Sequence, residues 1–313
     1  MHVIDLHCDT ILQLMEDKKN LGLKTNSLSV DIEKLKRANS MAQFFALYID
    51  LERSQNPLEN CLEMADKFYM ELELNKEEIA LARNYQELIE NQKAGKISAF
   101  LTIEEGGALK GELHHLRNFY RLGVRLITLT WNFPNEIGFP NYKGQYMNMG
   151  LTSFGKEVVE EMNHLGMLID VSHLSDQGFY DVAQLSSQPF AASHSNARSI
   201  KNHTRNLTDH MIKTLANNGG VMGINFAGDF LGHSSLSKVE DVVSHIKHIR
   251  KVGGIDVIAL GTDFDGINSD LEIENIGEIE KLTNVLEKEG FSVEEIEKIC
   301  YRNTLRVIKE VLK

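Results

Sequence analysis

Eight short runs of apolar and β-branched residues recur along the chain, separated by longer stretches of helical period, and this alternation constrains the fold most. The runs are Val3–Asp9, Gln43–Ile49, Ser98–Ile103, Arg125–Thr130, Met167–Val171, Pro189–Ser193, Gly220–Asn225 and Val257–Gly261. Between them lie amphipathic stretches such as Phe154–Leu165, Thr208–Asn217 and Val239–Val252, several closed by glycine, as at Gly166 and Gly219-Gly220. Short apolar runs alternating with helical segments are the pattern of βα units around a parallel sheet. Eight units predict an α/β fold of the (β/α)8 TIM-barrel type. An open doubly wound sheet usually has fewer strands, and no glycine-rich phosphate fingerprint follows the first run.

Residues from about 272 to 313 read as two helices, the second opened by the capping-box pattern Ser292-Val293-Glu294-Glu295. They are expected to form a helical cap on a single domain spanning 1–313. Length alone fits either one barrel or two domains.

Lys plus Arg number 33 against 45 Asp plus Glu, a net charge of −12, so the basic footprint of a sequence-independent nucleic-acid binder is missing. Hydrophobic residues at 42% and charged ones at 25% are ordinary for a globular chain and exclude disorder as the main state. Only four prolines occur, and no linker marks a domain boundary. Three cysteines, Cys8, Cys61 and Cys300, are too few and odd in number for a disulfide framework. The first ten residues carry Asp5 and Asp9 where a signal peptide needs a basic start and an apolar run, and no stretch reaches membrane-spanning length. A cytoplasmic protein with no membrane and no nucleic-acid partner is the expectation.

His7 and Asp9 lie two apart at the end of the first run, so strand alternation puts them on one face and Cys8 on the other. Further ionisable groups end other runs: Glu104-Glu105 the third, Asp170 and His173 the fifth, His194 the sixth, Asp263 and Asp265 the eighth. Barrel enzymes build their active sites at these carboxyl ends. Filling the few inward positions there with three histidines and three of these acids is costly without a cation. That many nitrogen and oxygen donors exceed the three a single catalytic zinc takes from protein, so two metals bridged by a carboxylate is the economical reading. Zinc suits imidazole with carboxylate, and Mn2+ or Co2+ are candidate substitutes.

With these residues in place, the chain resembles the membrane (renal) dipeptidases, binuclear zinc exopeptidases on an amidohydrolase-like (β/α)8 barrel. The resemblance runs nearly end to end through Asp5-Leu6-His7-Cys8-Asp9-Thr10, Glu105-Gly106-Gly107, Gly123 to Thr130 and Asp170-Val171-Ser172-His173. It continues through Ser193-His194-Ser195, Thr204 to Asp209, and Gly261-Thr262-Asp263-Phe264-Asp265-Gly266. It implies a zinc-dependent dipeptidase, cleaving dipeptides with a hydroxide held between the ions, L-Xaa-D-Xaa among them. By the same resemblance His7 and Asp9 match the ligands of one zinc, His173 and His194 those of the other, and Glu105 the bridging carboxylate. Asp263 matches the acid beside the metals, and Arg205 the guanidinium that holds the substrate carboxylate. Glu104 is the rival for the bridge. Glu105 is preferred because it directly precedes the Gly-Gly pair, with Glu104 expected on the opposite face of the strand. The partner implied is a small dipeptide, and the assembly a homodimer.

One position departs from the family pattern. Where mammalian members carry a histidine contacting the substrate carbonyl region, this chain has Trp131, its only tryptophan. An indole N–H donates one hydrogen bond and cannot titrate, so the imidazole's role is replaced in part, supplied elsewhere or left to metal. Trp131 is thus a candidate substrate-binding residue, with packing in the barrel rim as the equal alternative.

Other groups read more simply. Asp265 is expected to support the turn after the eighth run, Cys8 to be a small core residue, and His245 and His248 to mark a solvated helix face. His203, two residues before Arg205, could contact substrate but is not counted among the site residues. The alternative function is another binuclear amidohydrolase acting on a small amide or lactam. Such enzymes usually begin with His-x-His and often bridge with a modified lysine. Here the pattern is His-x-Asp with a glutamate, and no lysine ends the fourth run.

Overall fold

The computed structural model describes residues 1–16, 22–232, 234 and 236–313. Eight parallel strands form the ring: β1 (Val3–Cys8), β2 (Ser40–Tyr48), β3 (Ile97–Glu104), β4 (Val124–Thr128), β5 (Leu168–Asp170), β6 (Ala191–Ala192), β7 (Val221–Ile224) and β8 (Ile258–Leu260). Neighbours run β2-β1-β8-β7-β6-β5-β4-β3, and β3 pairs back to β2, so the sheet closes on itself. This is the (β/α)8 barrel expected from the alternation, with each anticipated run contributing one strand. The helices Ser153–Leu165, Asp209–Asn217 and Val239–Gly253 fall on the three amphipathic stretches. Thr152 and Thr208 cap the first two by accepting from Gly155 N and Met211 N.

Differences lie at strand ends. The sixth run shrinks to two residues because Pro189 has no N–H for the ladder and Ser193 N donates to the Asp170 carboxylate (2.8 Å) instead of a strand neighbour. A short strand, Ile79–Leu81, pairs with the beginning of β3 outside the ring, and its three residues are too few to show periodicity.

Two apolar clusters hold the structure. The larger lies between the ring and its helices. The smaller draws at least one residue from every ring strand, from Ile4 and Phe44 round to Val221 and Ala259, and is the barrel interior. Phe44 and Phe100 stack there with ring centroids 4.5 Å apart. The helix Asn303–Val311 adds Val307, Ile308 and Val311, an i, i+1, i+4 stripe, and so seals the end of the barrel where the strands begin. Its segment opens at Val293 with the anticipated capping box, Ser292 and Glu295 bonding each other's backbone, and passes through a π turn at Lys298–Arg302.

The opposite mouth is where the strands end, and register brings their last residues level. Tyr48 pairs with Glu104, Glu104 with Thr128, and Thr128 with Asp170. Close backbone approach is needed on the other side of the ring: a Cβ on Gly261 would sit 1.7 Å from the Ser193 carbonyl oxygen, so only glycine fits beside His194.

Candidate metal centre

Phe100 faces the barrel interior, and strand alternation carries Thr102 and Glu104 to the same face. Glu104 is therefore the carboxylate aimed into the mouth. Its Oε2 lies 3.2 Å from His7 Nε2, and its Oε1 lies 3.1 Å from His173 Nε2 and 3.3 Å from His194 Nε2. Asp9 Oδ2 and Asp263 Oδ1 approach His7 Nε2 at 3.4 and 3.8 Å.

Glu105, preferred in the sequence reading, does not join them. It follows the strand at φ 120°, a conformation strained for any side chain. Its buried carboxylate turns to the next loop, accepting from Gly107 N (2.6 Å), Trp131 N (2.8 Å) and Asn135 Nδ2. The Gly-Gly pair was the misleading signal; parity counted from Phe100 was the better one.

The neighbours of the imidazoles fix their tautomers. His194 Nδ1 bonds Ser193 Oγ (2.7 Å), whose own hydroxyl donates to Asp170 Oδ2 (2.6 Å). His173 Nδ1 donates to Asn132 Oδ1 (3.2 Å). Both Nε2 lone pairs then point at the centre, only 3.0 Å apart. Two lone pairs at that separation repel unless a cation takes them. Both ring nitrogens of His7 and the Asp9 Oδ1 are buried without a hydrogen-bond partner among the described residues. Orphaned donors of this kind fit divalent metal.

Two donor groups share Glu104. His7, Asp9 and Glu104 make one triad and Glu104, His173 and His194 another, each with ligand atoms within 4.8 Å of one another. His7 and Asp9 stand together as strand alternation requires, while Cys8 Sγ faces Phe44 O and the outer core. His173 (φ 66°), Asp263 (φ 63°) and Asp265 (φ 69°) share with Glu105 the left-handed region, so backbone strain gathers at this mouth. Gly266 closes it, since a Cβ there would meet Asp9 Oδ2 at 2.0 Å.

Burial opposes charge on every member, and neighbours decide the outcome. It pushes Asp9 up to about 6 against the pull of His7. Asp263 rises to about 7, burial and repulsion from Asp9 and Glu104 outweighing His7. Burial and Arg205 push His173 down to about 4, and burial with the His7 charge holds His194 well below its usual value. Burial also disfavours a charged Glu104, but the charge on His7 keeps it well below the carboxylate range. His7 is held well above its usual value because Glu104 and Asp9 overcome its burial. Without a cation, protons thus occupy His7 and, near neutrality, part of Asp9 and Asp263.

Metal must displace those protons, so affinity is expected to rise with pH through 6–7, by about tenfold per pH unit for each proton released. Zinc titrations of metal-free protein between pH 5.5 and 8 measure this; a flat affinity would contradict the proton inventory.

Around the centre opens a cleft of about 950 Å³. Arg205 lines it, buried, with Nη2 on His194 O (3.0 Å), Nη1 on Ser195 Oγ (3.4 Å) and Nε without a partner. No carboxylate pairs with it among the described residues, so the guanidinium is available to an anion. Trp131 is half-buried on the cleft wall, edge-on to Tyr48 at 4.9 Å. His203 lies in the same wall, its ring 4.7 Å from Phe230. Asp265 accepts from Thr10 Oγ1 and Ser29 N, both at 2.6 Å, and supports the turn as expected. His245, expected on a solvated face, is instead buried, accepting from Ala197 N (3.0 Å) and bonding Leu231 O (2.9 Å), while His248 pairs with Asp209.

Sequence reasoning passed over Asn132 and Asn225. Asn225 Nδ2 donates to Asp263 Oδ2 (2.7 Å), its Oδ1 fixed by Ala227 N (2.6 Å). Its place at the end of the seventh run was the available signal.

Fold and site together define a barrel metallohydrolase, one whose centre demands cations and whose cleft holds a spare guanidinium. The model of the membrane dipeptidase family, peptidase family M19, matches residues 1–313, and the chain belongs to that family. It is a metallo dipeptidase. Dipeptidase tcpJ of Claviceps purpurea is 29% identical over 323 residues, covering 99% of this chain and 75% of that one. An uncharacterized dipeptidase of Schizosaccharomyces pombe is 32% identical, covering 96% and 75%. Among solved structures, a metallo peptidase from Rhodobacter sphaeroides, liganded with a phosphinate mimic of L-Ala-D-Ala, superposes with a TM-score of 0.92 at 26% identity over 99% of both chains.

Proposed function

We propose that the protein hydrolyses dipeptides with two divalent ions, zinc by the chemistry of its donors, bridged by Glu104. His7 and Asp9 would hold one ion, His173 and His194 the other. The observation that carries this reading is the division of one carboxylate between two donor pairs, Oε2 toward His7 and Oε1 toward His173 and His194. Bound there, the ions supply Lewis acidity and bring the pKa of water toward neutrality.

Asp263 receives the proton of the attacking water and delivers it to the departing amine. Asn225 occupies one of its oxygens, leaving Oδ1 turned to the centre. Arg205 receives the substrate's terminal carboxylate through its free edge, and Trp131 and Tyr48 form a wall of the cleft. The phosphinate carried by the Rhodobacter sphaeroides relative supports L-Xaa-D-Xaa among the substrates. The three buried free thiols support a reducing, cytoplasmic compartment. No described helix is long and apolar enough to cross a membrane. A homodimer rests on family resemblance and is tested by light scattering.

The test of function is turnover of metal-reconstituted enzyme on a matrix of L,L and L,D dipeptides, with a chelated control. A planar guanidinium at fixed distance from the centre also measures substrate length. Dipeptides should be cleaved and tripeptides cleaved at least about 100-fold more slowly, and Arg205→Lys should lower kcat/KM on dipeptides roughly 10- to 100-fold, the worth of a charged hydrogen bond. Equal rates on both lengths would remove Arg205 from this role.

A further inference from the structure

The loop after β4 is pinned at several points. Glu105 holds Trp131 N and Asn135 Nδ2, and Asn135 also bonds Leu129 O (2.8 Å) and receives Ile137 N (2.8 Å). This clamp leaves Asn132 on the cleft wall, next to the half of the centre formed by His173 and His194. Its amide has one orientation. His173 Nε2 faces Glu104 and His194, so Nδ1 carries the proton, and Asn132 must present Oδ1 to it. Nδ2 is then turned away from His173, with no protein acceptor among the described residues, in a residue that lines the substrate cleft.

We propose that Asn132 is a catalytic residue whose Nδ2–H donates to the substrate carbonyl oxygen as it becomes an oxyanion. The inference rests on the dipeptidase reading and assigns to this neighbour of Trp131 the carbonyl contact that an indole packed edge-on against Tyr48 does not obviously supply. As water adds to the carbonyl carbon, the C–O π pair moves onto oxygen, and a donor already held in place stabilises it without reorganisation. The same amide serves His173 through its other end, so one side chain couples imidazole orientation to substrate polarisation.

Asn132→Asp and Asn132→Ala separate the two services. Asp keeps an acceptor for His173 Nδ1 and removes the donor; Ala removes both. The proposal expects metal-loaded Asn132→Asp to retain wild-type metal content, lose about 100-fold in kcat with KM within about threefold, and fare no better than Asn132→Ala. A phosphinate dipeptide mimic, titrated calorimetrically, should bind both variants more weakly by a factor close to the loss in kcat/KM. If Asn132→Asp restores turnover to within threefold of wild type, or if losses in both variants vanish when metal content is restored, Asn132 only orients His173 and the proposal is overturned. The phosphinate titration also separates the two failures. A reconstituted wild type that binds the mimic but cleaves no dipeptide would refute the dipeptidase reading, while the variants' affinities would still decide the role of Asn132.

Discussion

Asp263→Asn is expected to lower kcat by roughly 10²- to 10⁴-fold, the usual worth of a positioned acid-base group, while metal content stays near wild type. The substitution is nearly isosteric, and Asp263 is the outermost of the acids around His7, 3.8 Å from its Nε2 against 3.2 Å for Glu104. It falls in a third set of neighbouring donor atoms, with His7 and His194, and in neither triad that contains Glu104. Asn225 would meet an amide in place of a carboxylate oxygen, and an Asn oxygen can still accept from its Nδ2. Both triads that contain Glu104 keep all their donors, and the proton acceptor is removed. Turnover near wild type, measured with metal content determined on the same sample, would exclude Asp263 as the base.

The second large effect separates two adjacent glutamates. Glu104→Gln should strip metal from both halves of the centre and reduce activity by at least about 1000-fold, beyond the 10- to 100-fold typical of a residue that only supports a ligand. An amide offers one oxygen where two are needed, and its NH2 would face lone pairs of His7 or of His173 and His194. Glu105→Gln should bind metal nearly as well as wild type and cost about 1–3 kcal/mol of stability, because a buried backbone N–H of Gly107 or Trp131 loses its acceptor. Elemental analysis and thermal unfolding of both variants check the pair. Metal loss in Glu105→Gln with retention in Glu104→Gln would restore the assignment preferred from the Gly-Gly motif.

That reversal shows where a sequence is legible and where it is not. The barrel could be read because burial on both faces of a parallel strand leaves apolar runs that differ from amphipathic helices, and all eight runs became strands. That His7, Asp9, His173, His194 and Asp263 would meet at one mouth could be read because ionisable groups at the carboxyl ends of barrel strands converge there. Glu104 and Glu105 could not be separated by motif, since both end the same run; only the face of Phe100 distinguishes them. Asn132 and Asn225 carry no charge, and their importance lies in orientation, held by His173 on one and Ala227 on the other. The buried role of His245 was equally invisible, because a helix shows its spacing but not what packs over it.

Closure of the ring has a consequence for assembly. β1 joins β8 across almost the whole chain, with Asp5 opposite Leu260 and Thr10 bonded to Asp265 255 residues away. Side chains of the site lie on both sides of that seam, His7 and Asp9 on one and Asp263 on the other. A metal ion held by His7 and Asp9, with Asp263 beside it, would sit over the joint and would reward only chains in which the ring is already shut. Its binding free energy would then stabilise the closed ring by mass action. The cofactor that would carry the chemistry would also be a fastener, holding β1 to β8.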